Sequence, residues 1–267
     1  MTLSRIARAY DHLLIDLDGC LWVGDELTER ADEALAALRE AGKGIAFLTN
    51  DVRHSPDQFV RKLWRLGVRA AVNEVVTVGA AVQYLLAERH SDSGAAFVIG
   101  SQALVDHVAD AGLRIVNNTE FASRADLVVV GGHDAFDYRE LRTATQAVLR
   151  GAELIGATRD AVFPMPDGPW PGTGAVLAAV EAATGRAADR TVGKPESPMY
   201  ETARDRLGPG RTLAVGDRPE IDVAGAARAG LDSALVLTGG ATREAAASAD
   251  PAPGYVADTL ASLVLEA

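Results

Sequence analysis

The chain has 267 residues, 48% of them hydrophobic, with 26 Lys+Arg against 37 Asp+Glu and a formal net charge of −11. Such a chain can bury a sizeable core, which excludes global disorder, and its length suits one large domain or two ordinary ones. The acidic balance disfavours nucleic-acid backbones and anionic membrane surfaces as partners, although a local cation or a ring of backbone N–H groups can still hold a phosphorylated metabolite.

Short apolar runs alternate with helical patterns along the whole chain. The stretch from Met1 to Asp11 carries Arg5, Arg8 and Asp11 and has no uninterrupted apolar run, so it does not read as a secretory signal. Leu13 to Ile15 reads as a buried strand ended by Asp16-Leu17-Asp18-Gly19, Ala31 to Ala41 as a helix stopping at Gly42, and Gly44 to Leu48 as a second strand. Ser55-Pro56-Asp57-Gln58 is a helix start with Ser55 as N-cap and Gln58 completing a capping box. Val75 to Val78 is a third strand, and a loop is expected around His90 to Gly94.

The pattern then restarts. Ala95–Ile99, Ile115–Asn117, Leu127–Val130 and Leu154–Ala157 read as strands; Ala103–Ala111, Tyr138–Leu149 and Thr173–Ala183 read as helices. Pro164 to Gly172, with four prolines, reads as a loop. A Gly-Lys-Pro turn follows, then a helix over Pro198–Leu207, a strand over Leu213–Val215, a helix running through Ala229, and a last strand at Leu235–Leu237. Strand–helix alternation of this kind predicts an α/β fold with parallel sheets covered on both faces. Runs such as Leu127–Val130 are far too short to span a bilayer, and Cys20, the only cysteine, allows no intramolecular disulfide. Together these features predict a soluble cytoplasmic protein with neither a membrane nor a nucleic-acid partner.

Ligands of open α/β sheets bind beyond the carboxyl ends of the strands. Four features are expected just past core strands: Asp16 with Asp18, Thr49-Asn50, Lys194, and Asp217 with Asp222. Residues two apart in extended backbone point the same way, so Asp16 and Asp18 converge, and Gly19 permits a tight turn; a turn with two solvated acids is the plain alternative. Asp217 could serve only as a helix cap and Asp222 as a first-turn acid. If the fold instead gathers these acids, each like-charge pair at 4 Å costs about 4 kcal/mol at an effective dielectric near 20, and a cation must offset it. An all-oxygen set beside a phosphate suits Mg²⁺. Lys194, one of only three lysines, is a compact charge suited to a phosphate oxygen or else a solvated turn residue. The Thr49 hydroxyl and the N–H groups after it could hold phosphate oxygens, or merely close a strand end.

Asp16-x-Asp18-Gly19, Thr49-Asn50, Gly193-Lys194-Pro195 and Gly216-Asp217-Arg218 with Asp222 resemble, in order and spacing, the four motifs of the haloacid-dehalogenase (HAD) superfamily. The long insert between the second and third motifs, Pro171-Gly172-Thr173-Gly174-Ala175, and Phe136-x-Tyr138 after a strand resemble the NagD-like subfamily IIA phosphatases. The resemblance implies a Rossmann-like parallel-sheet core formed by residues 1–78 and 189–267, with an inserted α/β cap domain of type IIA at 79–188. It further implies hydrolysis of small phosphorylated metabolites (sugar, glycerol or nucleotide monophosphate esters) through an aspartyl-phosphate.

In that scheme Asp16 is the nucleophile and Asp18 the general acid and base, while Thr49, Asn50 and Lys194 bind the phosphoryl group. Mg²⁺ is held by Asp16, the Asp18 carbonyl and Asp217, with Asp222 supporting that shell. A mobile cap closes over the substrate and is the candidate face of a homodimer. Asp51 replaces a second Asn usual in relatives, and Ala157-Thr158-Arg159-Asp160 is one residue shorter than their cap loop. Cys20 reads as a small buried hydrophobe. Trp22, His133, Arg159, Asp160 and Trp170 are candidates for contact with the leaving group, each with a plain packing or surface-pair alternative. Two other classes remain in view: a phospho-accepting receiver-like signalling protein and a catalytically idle ligand-binding relative.

Overall fold

A computed structural model describes residues 2–89, 94–163 and 168–266, apart from the Arg89 side chain. The expected loop at His90–Ser93 and residues 164–167 of the expected Pro-rich loop lie outside the described residues. The chain divides into two compact units: residues 1–49, 56–76 and 194–267 form the first, and 50–55 with 77–193 the second.

The first unit is built on a six-stranded sheet in the order Tyr255–Ala257, Asp232–Val236, Thr212–Gly216, His12–Asp16, Gly44–Thr49, Val75–Thr77. The pairings from Tyr255–Ala257 across to Gly44–Thr49 are all parallel. Leu13, Leu14 and Ile15 are all buried, as expected of a central strand covered on both faces. From His12–Asp16 the chain runs outward to Gly44–Thr49 and Val75–Thr77, then returns to the other side at Thr212–Gly216. The order of strands therefore reverses between two neighbours, and that is where an open α/β sheet leaves a crevice at its carboxyl edge.

Register carries the site residues to that edge. Ile15 lies opposite Val215 and Asp16 opposite Leu48. Asp217, just past its strand, and Thr49, the last residue of its own, thus each lie one residue beyond the level of Asp16, on strands about 4.8 Å away.

The structure departs from the sequence pattern at several places. The strand before Lys194 is Arg190–Thr191, which pairs with Glu153–Gly156 in the second sheet, so Lys194 does not follow a core strand. A strand and a helix, Tyr255–Ala257 and Leu260–Val264, follow the one expected to be last. The helix after Gly216 opens with a π-helical turn over Pro219–Val223 before Ala224–Arg228. Trp170–Pro171, expected in a loop, pairs antiparallel with Val162–Phe163.

The second unit carries a parallel five-stranded sheet in the order Arg190–Thr191, Glu153–Gly156, Leu127–Gly132, Ala95–Gly100, Arg114–Ile115. Its helix over Val78–Arg89 was not legible as periodicity because Val78, Ala80, Ala81, Val82 and Leu86 are buried and fall on all sides. Helices Tyr138–Leu149 and Thr173–Thr184 match their expected positions closely. Among the described residues, no helix is long and apolar enough to cross a membrane.

Leu177, on the Thr173–Thr184 helix, is fully buried and packs over Gly156, where a Cβ would strike its methyl groups. Leu177→Ala is expected to destabilise the second unit by about 2–5 kcal/mol, read from the denaturant midpoint of that unit's transition. An unchanged midpoint would show that this interface repacks freely.

Candidate active site

Asp16 ends the first strand with its carboxylate buried. Lys194 sends its ammonium into the same spot, donating to Asp16 Oδ1 and, at 2.8 Å, to Asp222 Oδ1. Asp16, Asp217 and Asp222 each offer an oxygen within 4.8 Å of the others. Residues up to 206 positions apart in sequence thus meet at the carboxyl edge of one sheet. Thr49 is buried at the end of its strand. Asn50 belongs to the second unit, where its amide donates to Asp160 Oδ2 at 2.9 Å.

Asp222 is fully engaged. Its Oδ2 accepts the N–H groups of Asp217 at 3.2 Å and Arg218 at 3.0 Å, while Oδ1 takes Lys194. The π-helical turn aims this carboxylate back at its own N-terminal strand, and Gly216 makes room, since a Cβ there would overlap the Asp222 carboxylate. Tyr200 donates its hydroxyl to the Asp222 carbonyl at 3.1 Å. Asp222 therefore braces Lys194 and the Asp217 backbone.

Three buried carboxylates against one ammonium leave the cluster short of positive charge. Burial pushes Asp16 well above the usual carboxylate range, with the Lys194 charge opposing it. Burial and the Asp222 charge raise Asp217 to about 6. Burial would lower Lys194, but Asp16 and Asp222 together hold it above its ordinary value, so it remains an ammonium.

Among the described residues, Asp217 Oδ1 is buried without a hydrogen-bond partner, a costly condition unless something else coordinates it. All-oxygen donors, excess negative charge and an orphaned carboxylate oxygen fit a hard divalent cation, and Mg²⁺ is the cofactor this site accepts.

Two features of the site were missed in the sequence. A Cβ on Gly239 would overlap Asp217 Oδ2 and approach its Cβ to 2.7 Å, and one on Gly19 would lie 2.7 Å from Asp217 Cγ. Thr238 donates its hydroxyl to the Gly19 carbonyl at 2.5 Å. The available signal was Thr238-Gly239-Gly240 just past a core strand, the position already used to find Asp16 and Asp217.

The leaving-group candidates are all engaged. Trp22 is fully buried in the first unit's core, a correction to its expected place at the substrate, and its indole N–H donates to Asp18 Oδ1 at 2.8 Å. His133 is bonded to Glu140 at 2.9 Å, Arg159 to Glu181 at 2.9 Å, and the Trp170 ring is tilted against Phe163 with centroids 6.4 Å apart. Cys20 is buried, as expected.

Asp51 closes a local turn in the second unit, accepting from the backbone N–H groups of Arg53 at 2.6 Å and His54 at 3.3 Å and from the Arg53 guanidinium at 3.0 Å. Arg53 in turn lies 4.2 Å from the centre of the Phe163 ring.

The fold and this site define a phosphoryl-handling hydrolase of α/β type, and comparison with known proteins gives the family. A haloacid dehalogenase-like hydrolase model matches residues 13–114, and a HAD-hydrolase-like model matches 191–263. D-glycerol 3-phosphate phosphatase of Mycobacterium tuberculosis is 35% identical over 263 residues, covering 98% of this chain and 73% of its own. Sugar-phosphatase AraL of Bacillus subtilis is 35% identical over 231 residues, covering 86% of this chain and 84% of its own. The crystal structure of the M. tuberculosis glycerol phosphate phosphatase in complex with magnesium superposes with a TM-score of 0.90 at 36% identity, over 97% of this chain and 78% of that one. The chain belongs to the HAD superfamily, in the NagD-like subfamily IIA, and is a phosphatase.

The crowding around Asp217 and the charge balance at Asp51 can each be tested. Gly239→Ala is expected to weaken Mg²⁺ binding about 10- to 100-fold by displacing the Asp217 carboxylate, as read by titration calorimetry; unchanged affinity would mean that the carboxylate has room to move. At Asp51, burial raises the carboxyl, but the His54 hydrogen bond and the Arg53 charge outweigh it and hold it at about 2. A depressed carboxyl stabilises above its ordinary value, and that stability is lost as pH falls from 3.8 toward about 2. Asp51→Asn should therefore flatten the pH dependence of stability across that acid window, as followed by urea unfolding; an unaltered slope would remove Asp51 from the account.

Proposed function

We propose that this protein is a Mg²⁺-dependent phosphatase of small phosphorylated metabolites (sugar, glycerol or nucleotide monophosphate esters) working through an aspartyl-phosphate on Asp16. The observation that carries this reading is the Lys194 ammonium bonded to both Asp16 and Asp222 beside the unpartnered Asp217 oxygen. Names of relatives that act on glycerol 3-phosphate and sugar phosphates support the substrate class.

Asp16 attacks phosphorus in line while Asp18 protonates the departing alcohol. Asp18, now a carboxylate, takes a proton from the water that releases phosphate from Asp16. Lys194 and Thr49 neutralise and position the phosphoryl oxygens, with Asn50 assigned to the same task. Asp16, the Asp18 carbonyl and Asp217 would hold Mg²⁺, which supplies charge neutralisation to the phosphoryl group, and Asp222 would keep Lys194 and Asp217 in place. Residues 79–188 form a cap domain in this reading, with His133, Arg159, Asp160 and Trp170 as candidates for selecting the leaving group. The same reading places the enzyme in the cytoplasm and gives its cap the face of a homodimer.

A receiver-like phospho-acceptor would stop at about one equivalent, and an idle relative at none. With Mg²⁺ present, a panel of alkyl and sugar phosphates should be turned over many times, activity should vanish in EDTA and return with Mg²⁺, and Asp16→Asn should abolish turnover. Undiminished phosphate release by that variant would remove Asp16 from the nucleophile's role.

A further inference from the structure

Among the residues assigned to the chemistry, to the phosphoryl group and to Mg²⁺, Asp18 is the exposed one. It follows the end of its strand by two residues, and its side-chain hydrogen bond goes to Trp22 and not to the buried cluster. A carboxylate so placed has several rotamers to choose from, whereas proton delivery needs one.

The geometry points to Trp22 as the positioning residue for Asp18, with Lys62 completing the support through the face of the indole ring. Trp22 Nε1–H donates to Asp18 Oδ1 at 2.8 Å, and Asp18 Oδ2 has no protein partner among the described residues. The backbone closes the same loop: Gly19 N–H donates to the Trp22 carbonyl at 2.7 Å, and Trp22 N–H to the Leu17 carbonyl at 3.1 Å. Asp18 and Trp22 are thereby joined by an isolated β-bridge.

The donor is itself held rigidly. Trp22 is fully buried and stacks nearly parallel on Phe59, with planes at 8° and centroids 6.5 Å apart. Lys62 Nζ lies 4.4 Å from the centre of the indole ring, donates to the Gly24 carbonyl at 2.8 Å and sits 3.5 Å from Asp25. It therefore ties down the turn of the Trp22–Val23 and Glu26–Leu27 hairpin while placing a positive charge over the ring. A cation on the ring face attracts π-electron density and makes the indole N–H a stronger donor. Phe59 and Lys62 lie on one helix, Pro56–Arg65, three residues apart, so one helical face serves the whole support.

This inference rests on the proposed role of Asp18 and adds a direction to it. In the first step the proton leaves Asp18 Oδ2 for the ester oxygen as the bond from phosphorus to that oxygen breaks and the bond from phosphorus to Asp16 forms. A carboxylate develops on Asp18 as this happens, and a hydrogen bond to a charged acceptor is stronger than one to a neutral acid. Trp22 therefore favours the transition state of proton delivery over the ground state. In the second step the water oxygen bonds to phosphorus as its proton passes to the same Oδ2, and the bond from phosphorus to Asp16 breaks, releasing phosphate and the Asp16 carboxylate. The assistance matters most for an alkoxide leaving group, which must be protonated to depart, and little for a nitrophenolate, which need not be.

The test compares the wild-type enzyme and two variants, all full-length and saturated with Mg²⁺, on glycerol phosphate and on p-nitrophenyl phosphate. Trp22→Phe keeps an aromatic ring against Phe59 and loses the N–H; Lys62→Met keeps the stem and loses the charge. Trp22→Phe is expected to lower kcat on the alkyl ester by about tenfold with KM little changed, and on the aryl ester by less than about threefold. Lys62→Met should move in the same direction by a smaller factor. Equal losses on both esters would make Trp22 a packing residue only, and no loss on either would overturn the proposal outright.

Should Trp22→Phe fail to fold, NMR of the indole N–H protons, of which a chain with three tryptophans has three, still decides the matter. The Trp22 resonance should be slow to exchange and should shift in Asp18→Ala; an unshifted resonance would show that the bond does not form. Asp18→Asn separates the two readings. If that variant keeps full activity on the alkyl ester, the acid role of Asp18 falls and this inference with it. If its activity is lost while Trp22→Phe is silent, only the inference falls.

Discussion

The structure turns on a buried shortage of positive charge. Asp16, Asp217 and Asp222 share one small volume with a single ammonium, Lys194, between two of them. Like charges at such separations cost several kcal/mol each, comparable with the roughly 5–15 kcal/mol that holds an ordinary domain together. The cluster is tolerable in part because both carboxylate oxygens of Asp222 are bonded and Lys194 bonds to two carboxylates, while the buried, unpartnered Asp217 Oδ1 is left for a cation to satisfy. Stability is given up locally in exchange for a site that attracts Mg²⁺ and, through it, a phosphoryl group. The family to which the chain belongs, and the magnesium-bound structure to which it is similar, agree with that physical reading.

Much of the framework exists to keep that cluster in register. A reversal of strand order opens the carboxyl edge between Thr212–Gly216 and His12–Asp16. Parallel pairing then sets Asp217 and Thr49 one residue past the level of Asp16, and the π-helical turn brings Asp222 back toward the strand it follows. Glycines at 19, 216 and 239 leave room for the carboxylates where any Cβ would collide with them. Asp18, outside this crowd, is held by a different means: a buried indole, a stacked Phe59 and the Lys62 charge.

The motif residues were legible because their chemistry is local. A pair of carboxylates ending an all-apolar strand, and a rare lysine beside a Gly-Pro turn, stand out against their surroundings without any knowledge of neighbours. Trp22 is placed in the core and not at the substrate; an aromatic residue near a motif aspartate reads the same whether it faces the ligand or the core, so burial decides, and burial belongs to the whole unit. Asp51, which stands where relatives carry a second Asn, folds back onto Arg53 and His54, an arrangement set by the turn and not by residue type. Gly239 went unnoticed because a glycine's meaning lies in what approaches it.

What the amino-acid order determined by itself was the alternation of apolar strands with amphipathic helices and the chemical identity of the groups at strand ends, both set by backbone periodicity and side-chain type within a few residues. What only the tertiary structure decided was which of those groups meet. A sequence separation of 178 between Asp16 and Lys194 has no bearing on their distance until the fold brings the Lys194 ammonium onto the Asp16 carboxylate. The polarity of Asp18's surroundings, the orphaned oxygen of Asp217 and the room around it depend equally on elements distant in the chain, because burial and charge are properties of a volume rather than of a segment.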